Sequence, residues 1–181
     1  MRTTGRVAGK IALITGGASG IGRTVPGMTC GHCKAAVEGA TVIVSDRDGP
    51  GAAAVATALG APHAAATLDV TDEAGWAAVM GEVVARHGRL DVLVNSAGIG
   101  RHGDIESTTL ADFRLMYRVN VEGTFLGCRA AVGAMKAHGG AIINLSSVAG
   151  LIGVPDLAGY CASKGAVRLL TKSVALHCAK Q

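Results

Sequence analysis

Five short apolar runs recur along the 181-residue chain, and stretches with helical periodicity separate most of them. The runs are almost continuously apolar, which is typical of strands covered on both faces. Strand–helix alternation with short links predicts βαβ units, and therefore a Rossmann-like α/β fold: a doubly wound parallel sheet between two helical layers. The predicted strands are 10–15, 41–46, 66–70, 91–95 and 141–146, and the predicted helices are 51–59, 72–87, 110–137 and 157–179.

The composition favours one globular domain. Hydrophobic residues make up 49% of the chain and charged residues 17%, and no linker divides it, so a single domain over residues 1–181 is expected. The net charge of +4 is spread without a Lys/Arg cluster, which argues against a nucleic-acid surface. No apolar run approaches the roughly 18 residues of a membrane span, and the first residues lack a secretory signal, so a cytoplasmic location is expected.

A glycine-rich turn, TGGASGIG at residues 15–22, follows the first predicted strand. Glycine at 16, 20 and 22 would let the backbone turn sharply and approach a pyrophosphate at the start of a helix. The second strand ends at Asp46, whose carboxylate can accept hydrogen bonds from both ribose hydroxyls of NAD and would repel a 2′-phosphate. Arg47 could bind such a phosphate. The pattern therefore predicts a dinucleotide site that favours NAD over NADP.

Three further residues suggest acid–base chemistry. Tyr160 and Lys164 are four residues apart, which places them on one face of a helix. A lysine ammonium one turn from a phenol favours the ionised form of that phenol. Ser147 follows the fifth strand, at the end of a parallel sheet where ligands bind, and its hydroxyl can hydrogen-bond a substrate carbonyl. Each of these residues alone is commonly structural, and only their combined positions predict a catalytic site.

The ordered motifs resemble those of the short-chain dehydrogenase/reductase family. They span nearly the whole chain: TGGASGIG at 15–22, Asp46, LDV at 68–70, NSAG at 95–98, Asn120 in VNVEGTF, SS at 146–147 and YCASK at 160–164. Ser96 stands where the family usually has a second asparagine. The resemblance implies reversible hydride transfer between a nicotinamide cofactor and a secondary alcohol or ketone, the hydride chemistry being supplied by the cofactor.

The resemblance also implies a role for each matching residue. Tyr160 would be the general acid/base, Lys164 would assist it and bind the nicotinamide ribose, Ser147 would orient and polarise the carbonyl, and Asn120 would hold a water in a proton relay. The long helix over 110–137 implies a homo-oligomer. The implied cofactor-binding residues are Gly16, Ser19, Gly20, Ile21, Gly22, Asp46, Arg47, Asp69, Val70, Asn95, Ala97, Gly98, Tyr160 and Lys164.

The chain departs from the family pattern at its C-terminus. Only 17 residues follow Lys164 (181 − 164), whereas the family continues with a sixth strand, a nicotinamide-gripping loop and a substrate-covering segment. The sheet is therefore expected to be incomplete on that side, with strand 141–146 at or near an exposed apolar edge. We expect this chain alone to be weakly active or inactive.

A second departure lies between Gly22 and Asp46, an interval of 24 residues (46 − 22) that is longer than in the family. Pro26 and Gly27 should break a helix near 25–28. Residues 26–40, PGMTCGHCKAAVEGA, form an insert that resembles the loop of heavy-metal-associated domains, in which two thiolates of GMTCxxC bind Cu(I).

Three interpretations of this insert remain open: a soft-metal site at Cys30 and Cys33, a redox dithiol, and a segment without a role. The first gives the alternative function, a nucleotide-binding protein that captures Cu(I) or another soft metal through these two cysteines.

Overall fold

The computed structural model describes residues 7–18 and 39–179. Its strands are β1 (Ile11–Thr15), β2 (Thr41–Asp46), β3 (Ala64–Thr67), β4 (Val92–Asn95) and β5 (Ala141–Asn144). Its helices are α1 (Gly49–Leu59), α2 (Glu73–His87), α3 (Leu110–Tyr117), a π-helix (Arg118–Glu122), α4 (Gly123–Met135), a 3-10 turn (Val148–Gly150) and α5 (Ala158–Cys178).

The five strands form one parallel sheet in the order β3-β2-β1-β4-β5. The chain adds β2 and β3 on one side of β1 and then returns to add β4 and β5 on the other. The predicted doubly wound Rossmann-like fold is thus confirmed. The strand order reverses between β1 and β4, which is where open α/β sheets hold their ligands.

Successive residues of the strands point to opposite faces, and each face carries its own core. On one face, Leu13 and Leu93 pack with Trp76 of α2 and Met135 of α4. The opposite face belongs to a second cluster, which packs its strand residues against α1. Because helices cover both faces, the strands are almost wholly apolar, as the near-continuous runs predict.

The third strand lies further towards the N-terminus than predicted, at Ala64–Thr67 instead of 66–70. Leu68 and Val70 are buried beyond the strand end, in the same core cluster as Trp76. The indole Nε1 of Trp76 donates to the Val70 carbonyl at 2.9 Å, which holds this segment against α2. Burial in a loop gave these residues the apolar character that the sequence pattern assigned to a strand.

The predicted helix 110–137 is not continuous, because a π-helix separates α3 from α4.

Strand β5 forms one edge of the described sheet, and Ile143 on this strand is 50% exposed. No helix in residues 7–18 and 39–179 is both long and apolar enough to cross a membrane. The predicted helix break at 25–28 lies outside the described residues.

Candidate active site

A cavity of about 380 Å³ opens at the carboxyl ends of the strands, beside the point where the strand order reverses. It combines segments that follow β1, β2, β3 and β4 with the end of α3 and the start of the π-helix. Of the predicted cofactor-binding residues, those that line this cavity are Gly16, Asp46, Arg47, Asp69, Val70, Ala97 and Gly98. Ser19, Gly20, Ile21 and Gly22 lie outside the described residues.

Gly16 brings two backbone segments into direct contact at the floor of this cavity. Its φ angle is +70°, in the left-handed region, and a Cβ added to it would lie 2.7 Å from the Cα of Ala97. The Thr15 hydroxyl accepts the amides of Ser96 and Ala97, both at 3.2 Å, and so fastens the same two segments together. Only glycine fits at position 16, which is the role expected of the first glycine in a dinucleotide-binding turn.

Asp46 lies at the end of β2 and is 4% exposed. Its two carboxylate oxygens accept backbone amides, one from Ala18 after β1 and one from Asp48, both at 3.0 Å. Asp46 therefore supports the turn after β1 and lines the cavity.

Asp69 follows β3 and is held in its ionised form. The Thr71 backbone amide donates to its carboxylate at 2.9 Å and the Thr71 hydroxyl at 2.8 Å. The backbone hydrogen bond from Thr71 is the largest cause that lowers the Asp69 pKa, and the positive charges of Arg118 and Arg47 lower it further against the opposing effect of burial. The acidic group and the two guanidinium groups therefore share one end of the cavity.

Asn120 lies in the π-helix and is almost completely buried. Its side-chain amide donates to the carbonyl of Ile99 and to the hydroxyl of Ser163, both at 2.9 Å, and its side-chain oxygen accepts the Ile99 amide at 2.8 Å. These bonds tie the π-helix to the segment after β4 and to α5. Irregular helical turns of this kind are frequent at functional sites.

Ser163 was not among the predicted site residues. It is fully buried and donates to the Tyr160 carbonyl at 2.8 Å while accepting from Asn120. Its sequence signal was weak but present: a serine directly before Lys164, three residues after Tyr160, lies on the buried side of that helix.

Lys164 is 6% exposed, and its ammonium group has an unusual environment. Nζ donates to the Leu145 carbonyl at 2.8 Å, and no carboxylate in the described part of the chain forms an ion pair with it. Burial lowers the pKa of Lys164. Nζ lies 5.8 Å from the centre of the Tyr160 ring, and a Cβ at Gly98 would lie 3.4 Å from it. The ammonium therefore lies near both the Tyr160 ring and Gly98, which lines the cavity.

Ser147 lies on the segment that connects β5 with α5. Its hydroxyl oxygen accepts the Ala149 amide at 3.2 Å and so caps the 3-10 turn. The neighbouring Ser146 donates to the Lys164 carbonyl at 2.9 Å. A Cβ at Gly150 would meet the same carbonyl at 2.7 Å. This close backbone contact brings the Ser147 segment to the part of α5 that carries Tyr160 and Lys164.

Asn95 ends β4, but its side chain does not line the cavity. It donates to the Asn144 side chain on β5 at 2.8 Å and lies beside the Cys128 thiol, at 3.7 Å. Asn144 in turn donates to the Thr171 hydroxyl of α5 at 3.0 Å. The structure thus places Asn95 in a buried network that joins two strands to two helices below the cavity floor.

Residues 10–181 match the model of the short chain dehydrogenase family. The chain belongs to this family. The 3-beta-hydroxysteroid dehydrogenase of Comamonas testosteroni is 44% identical to it over 178 residues, which cover 98% of this chain and 68% of that protein.

Two other relatives have a similar sequence identity to this chain. The cyclopentanol dehydrogenase of Comamonas sp. (strain NCIMB 9872) is 43% identical over 97% of this chain and 69% of its own length. For the trans-4-hydroxycyclohexanecarboxylate dehydrogenase of Sinomonas cyclohexanicum, the identity is 40% over the same two shares. This chain is therefore an oxidoreductase whose family uses a nicotinamide cofactor.

The residues of the cavity fit such a cofactor. The dehydrogenase offers a close backbone approach at Gly16, an acceptor at the end of β2 in Asp46, and a buried ammonium beside Gly98. In contrast, residues 7–18 and 39–179 contain no group of three or more His, Cys, Asp or Glu side chains that could hold a metal ion. Cys30 and Cys33, the predicted metal ligands, lie outside the described residues.

Proposed function

We propose that this dehydrogenase transfers a hydride between NAD and an apolar secondary alcohol or ketone, with Tyr160 as the proton-transferring group. The observation that carries the proposal is the buried ammonium of Lys164, which has no carboxylate partner in the described residues and lies 5.8 Å from the Tyr160 ring. Burying an uncompensated charge is costly, so a protein keeps one where its field performs a function. Here the charge lies beside the Tyr160 phenol, which would exchange a proton with the substrate.

The proton steps would involve three side chains. In alcohol oxidation the Tyr160 phenolate accepts the hydroxyl proton of the substrate, and in ketone reduction the phenol returns it. The Ser147 hydroxyl donates a hydrogen bond to the substrate oxygen and holds it in place. The bound nicotinamide supplies the acceptor or donor of the hydride.

Asn120 has a narrower role in this proposal than the family resemblance implies. Both hydrogens of its side-chain amide are used by Ile99 and Ser163, and its backbone carbonyl accepts the Thr124 hydroxyl at 2.7 Å. A relay water at Asn120 would therefore have to donate to a remaining oxygen lone pair. The main contribution of Asn120 is to fix the segment after β4 against α5.

The preference for NAD rests on Asp46. Its carboxylate lies at the end of β2 and lines the cavity, where it can accept hydrogen bonds from the ribose hydroxyls. A phosphate on the 2′-hydroxyl would approach this negative charge. We therefore expect tighter binding of NAD than of NADP.

The proposed substrate class rests on the surface next to Ser147. Val148, Leu151 and Ile152 lie within the next five residues and are 66%, 59% and 59% exposed. Such large exposed apolar side chains on the segment that carries Ser147 favour an apolar substrate. The names of the three relatives describe the oxidation of alicyclic alcohols, which agrees with this choice.

We also propose that residues 1–181 form one nucleotide-binding domain that contains the insert at 26–40, because both core clusters share a single sheet. Cu(I) binding by Cys30 and Cys33 remains a separate proposal. Titration of the chain with Cu(I), compared with a Cys30→Ser, Cys33→Ser variant, would test it.

The experiment that tests the catalytic proposal combines turnover with binding. Cyclopentanol oxidation is followed by NADH formation, and NADH affinity is measured by calorimetry, for the wild type and for Tyr160→Phe. The turnover of this chain, which is expected to be weak, should fall by a further factor of about 10² to 10⁴ in the variant, while NADH affinity stays the same. Turnover by Tyr160→Phe at the wild-type rate would refute the role of Tyr160, and the absence of NADH binding by the wild type would refute the cofactor site.

A further inference from the structure

The hydroxyl of Ser163 joins the turn of α5 that carries Tyr160 to the π-helix. It donates to the Tyr160 carbonyl at 2.8 Å and accepts from the Asn120 side-chain amide at 2.9 Å. A hydroxyl has a single hydrogen, so while that hydrogen is on the Tyr160 carbonyl the oxygen faces Asn120 as an acceptor. Ser163 and Asn120 are 0% and 1% exposed, so bulk water does not compete for this bond.

The segment after β4 is held by the same contact. The Asn120 side-chain oxygen accepts the Ile99 amide at 2.8 Å, and the side-chain amide donates to the Ile99 carbonyl at 2.9 Å. A Cβ added to Gly98 would lie 3.2 Å from Oδ1 of Asn120 and 3.4 Å from Nζ of Lys164. Gly98 and Ile99 both line the cavity. The Ser163 hydroxyl therefore connects this part of the cavity wall, through Asn120, to α5.

The same segment then passes the Tyr160 ring and meets the start of α5 a second time. A Cβ added to Gly100 would lie 3.5 Å from Cδ2 of the Tyr160 ring. Further on, the Gly103 amide donates to the Asp156 carbonyl at 2.8 Å, and the Ala158 amide donates to the Gly103 carbonyl at 3.1 Å. The segment is thus fixed before Gly100 by the hydroxyl contact and after it by this backbone pairing.

Thr171, about two turns further along α5, makes the same pair of bonds at another place. Its hydroxyl donates to the Val167 carbonyl at 2.7 Å and accepts from the Asn144 side-chain amide at 3.0 Å. Asn144 ends β5, and neither Asn144 nor Thr171 lines the cavity at the carboxyl ends of the strands. Helix α5 therefore offers two hydroxyls with the same bonding pattern, of which only Ser163 is connected to the segment after β4.

We propose that Ser163 is a positioning residue for the hydride and proton transfer. Acting through Asn120, its hydroxyl sets the position of the segment after β4, which lines the cavity, relative to the Tyr160 phenol. This inference rests on the proposed function, because it assumes proton transfer at Tyr160. The transfer depends on the placement of the reacting groups to within about 1 Å, so a small movement of this segment lowers the rate.

The test compares two variants that each remove one hydroxyl from α5. Ser163→Ala should lower kcat for cyclopentanol oxidation about tenfold, because the phenol and the cofactor lose their alignment. Its affinity for NADH, measured by calorimetry, should change less than about twofold, since the bonds between Asn120 and Ile99 remain. Thr171→Val is the matched control and should leave kcat per folded molecule unchanged. Urea unfolding of both variants gives the folded fraction.

A double-mutant cycle tests whether Ser163 acts through Asn120. In an Asn120→Ala background, Ser163→Ala should change kcat by less than about twofold, because the contact is already absent. Ser163→Cys keeps a weak donor and acceptor at this position, so its kcat should lie between those of the wild type and Ser163→Ala. Single-turnover reactions with the enzyme in excess make the slow rates of these variants measurable.

The other outcomes overturn the proposal. If Ser163→Ala and Thr171→Val lower kcat equally, the loss comes from the packing of α5 and Ser163 has no positioning role. The role is also wrong if Ser163→Ala leaves kcat unchanged, or if its effect is the same with and without Asn120. In these cases the wild type still oxidises cyclopentanol and Tyr160→Phe still loses turnover, so the proposed function stands. If the wild type does not oxidise cyclopentanol, the proposed function fails, and with it this role of Ser163.

Discussion

Two charged side chains are buried at opposite ends of the same sheet, and they are treated in opposite ways. Asp91 precedes β4 at its amino end and is 4% exposed, while Lys164 lies near the carboxyl end and is 6% exposed. The Asp91 carboxylate accepts hydrogen bonds from the Lys10 ammonium at 3.3 Å, from the Arg89 guanidinium and from the Ile11 amide at 2.9 Å. Among the described residues, the Lys164 ammonium has a hydrogen bond only to the Leu145 carbonyl, to which it donates at 2.8 Å.

The pKa of each group reflects these surroundings. Burial raises the pKa of Asp91, but the hydrogen bonds from Ile11, Arg89 and Lys10 outweigh it, so the net pKa lies below its ordinary value. Burial lowers the pKa of Lys164 and nothing opposes it. The compensated charge stabilises the fold by connecting β1 to β4. The uncompensated charge costs stability, and in the proposed function it serves the proton transfer at Tyr160.

Replacing Lys164 by methionine should produce the largest effect. We expect turnover to fall by a factor of about 10² to 10⁴, because the positive charge beside the proton-transferring Tyr160 is removed while the aliphatic stem remains. Steady-state oxidation of cyclopentanol measures this effect. Lys172→Met is the matched control on the same helix, at an exposed position, and should leave turnover unchanged. Equal losses in the two variants would show that the buried charge at position 164 has no special role in turnover.

Two glycines with the same φ angle, one at each end of the sheet, allow the two ends to be compared by an alanine substitution. Gly16 follows β1 and Gly139 precedes β5, and both have a φ angle of +70°. A Cβ at Gly16 would meet the Ala97 backbone at 2.7 Å, whereas at Gly139 no atom lies within 4 Å. Gly139→Ala should therefore cost only the conformational strain, about 1 kcal/mol, and Gly16→Ala about 2 kcal/mol or more.

Urea unfolding measures both stability changes, and NADH titration separates the functions of the two positions. Only Gly16→Ala should also weaken NADH binding. Similar NADH affinities in both alanine variants would show that the backbone contact at Gly16 does not shape the cofactor site.

Removing the compensated charge should affect stability and not catalysis. Asp91→Asn leaves Lys10 and Arg89 without their carboxylate. Their side chains are 44% and 42% exposed, respectively, and can be hydrated, so we expect the free energy of unfolding to fall by about 2 kcal/mol. Chemical unfolding gives this value. Turnover per folded molecule should remain that of the wild type, and Asp156→Asn, at an exposed pair with His102, should change stability by less than about 0.5 kcal/mol.

Asp91 and Lys164 should each contribute to the pH dependence of stability, Asp91 at acid pH and Lys164 at alkaline pH. Asp91 has a lowered folded pKa, so its stabilisation is present above the ordinary aspartate pKa and is lost as pH falls through the folded value. Lys164 also has a lowered folded pKa, so the unfolded chain binds more protons between that value and about 10.4, and stability rises with pH in this window.

Unfolding free energies measured across pH should show both effects. Asp91→Asn should flatten the acid limb, and Lys164→Met should flatten the alkaline rise. If either variant keeps the full wild-type dependence, its charged group is not the source of that limb.

The local sequence predicted much of the fold and of the candidate site. The apolar runs of β1, β2, β4 and β5 lie where predicted, to within two residues, because burial on both faces imposes a continuous signal on adjacent positions. Gly16, Asp46 and the Tyr160–Lys164 pair also have local signals: a turn after a strand, an acid at a strand end, and a spacing of one helical turn. The sequence could not separate the buried loop at Leu68 and Val70 from a strand, since both give the same apolar pattern.

The sequence by itself determined the alternation of strands and helices and the residues able to perform acid–base chemistry, because these depend on residue type and spacing along the chain. Only the tertiary structure decided which charges are compensated. Asp91 is about 80 residues from Lys10 and Ile11, Arg118 shares its cavity with Arg47, and the partner of Asn120 is a distant loop. Such contacts are formed by packing between segments, and no local pattern records them.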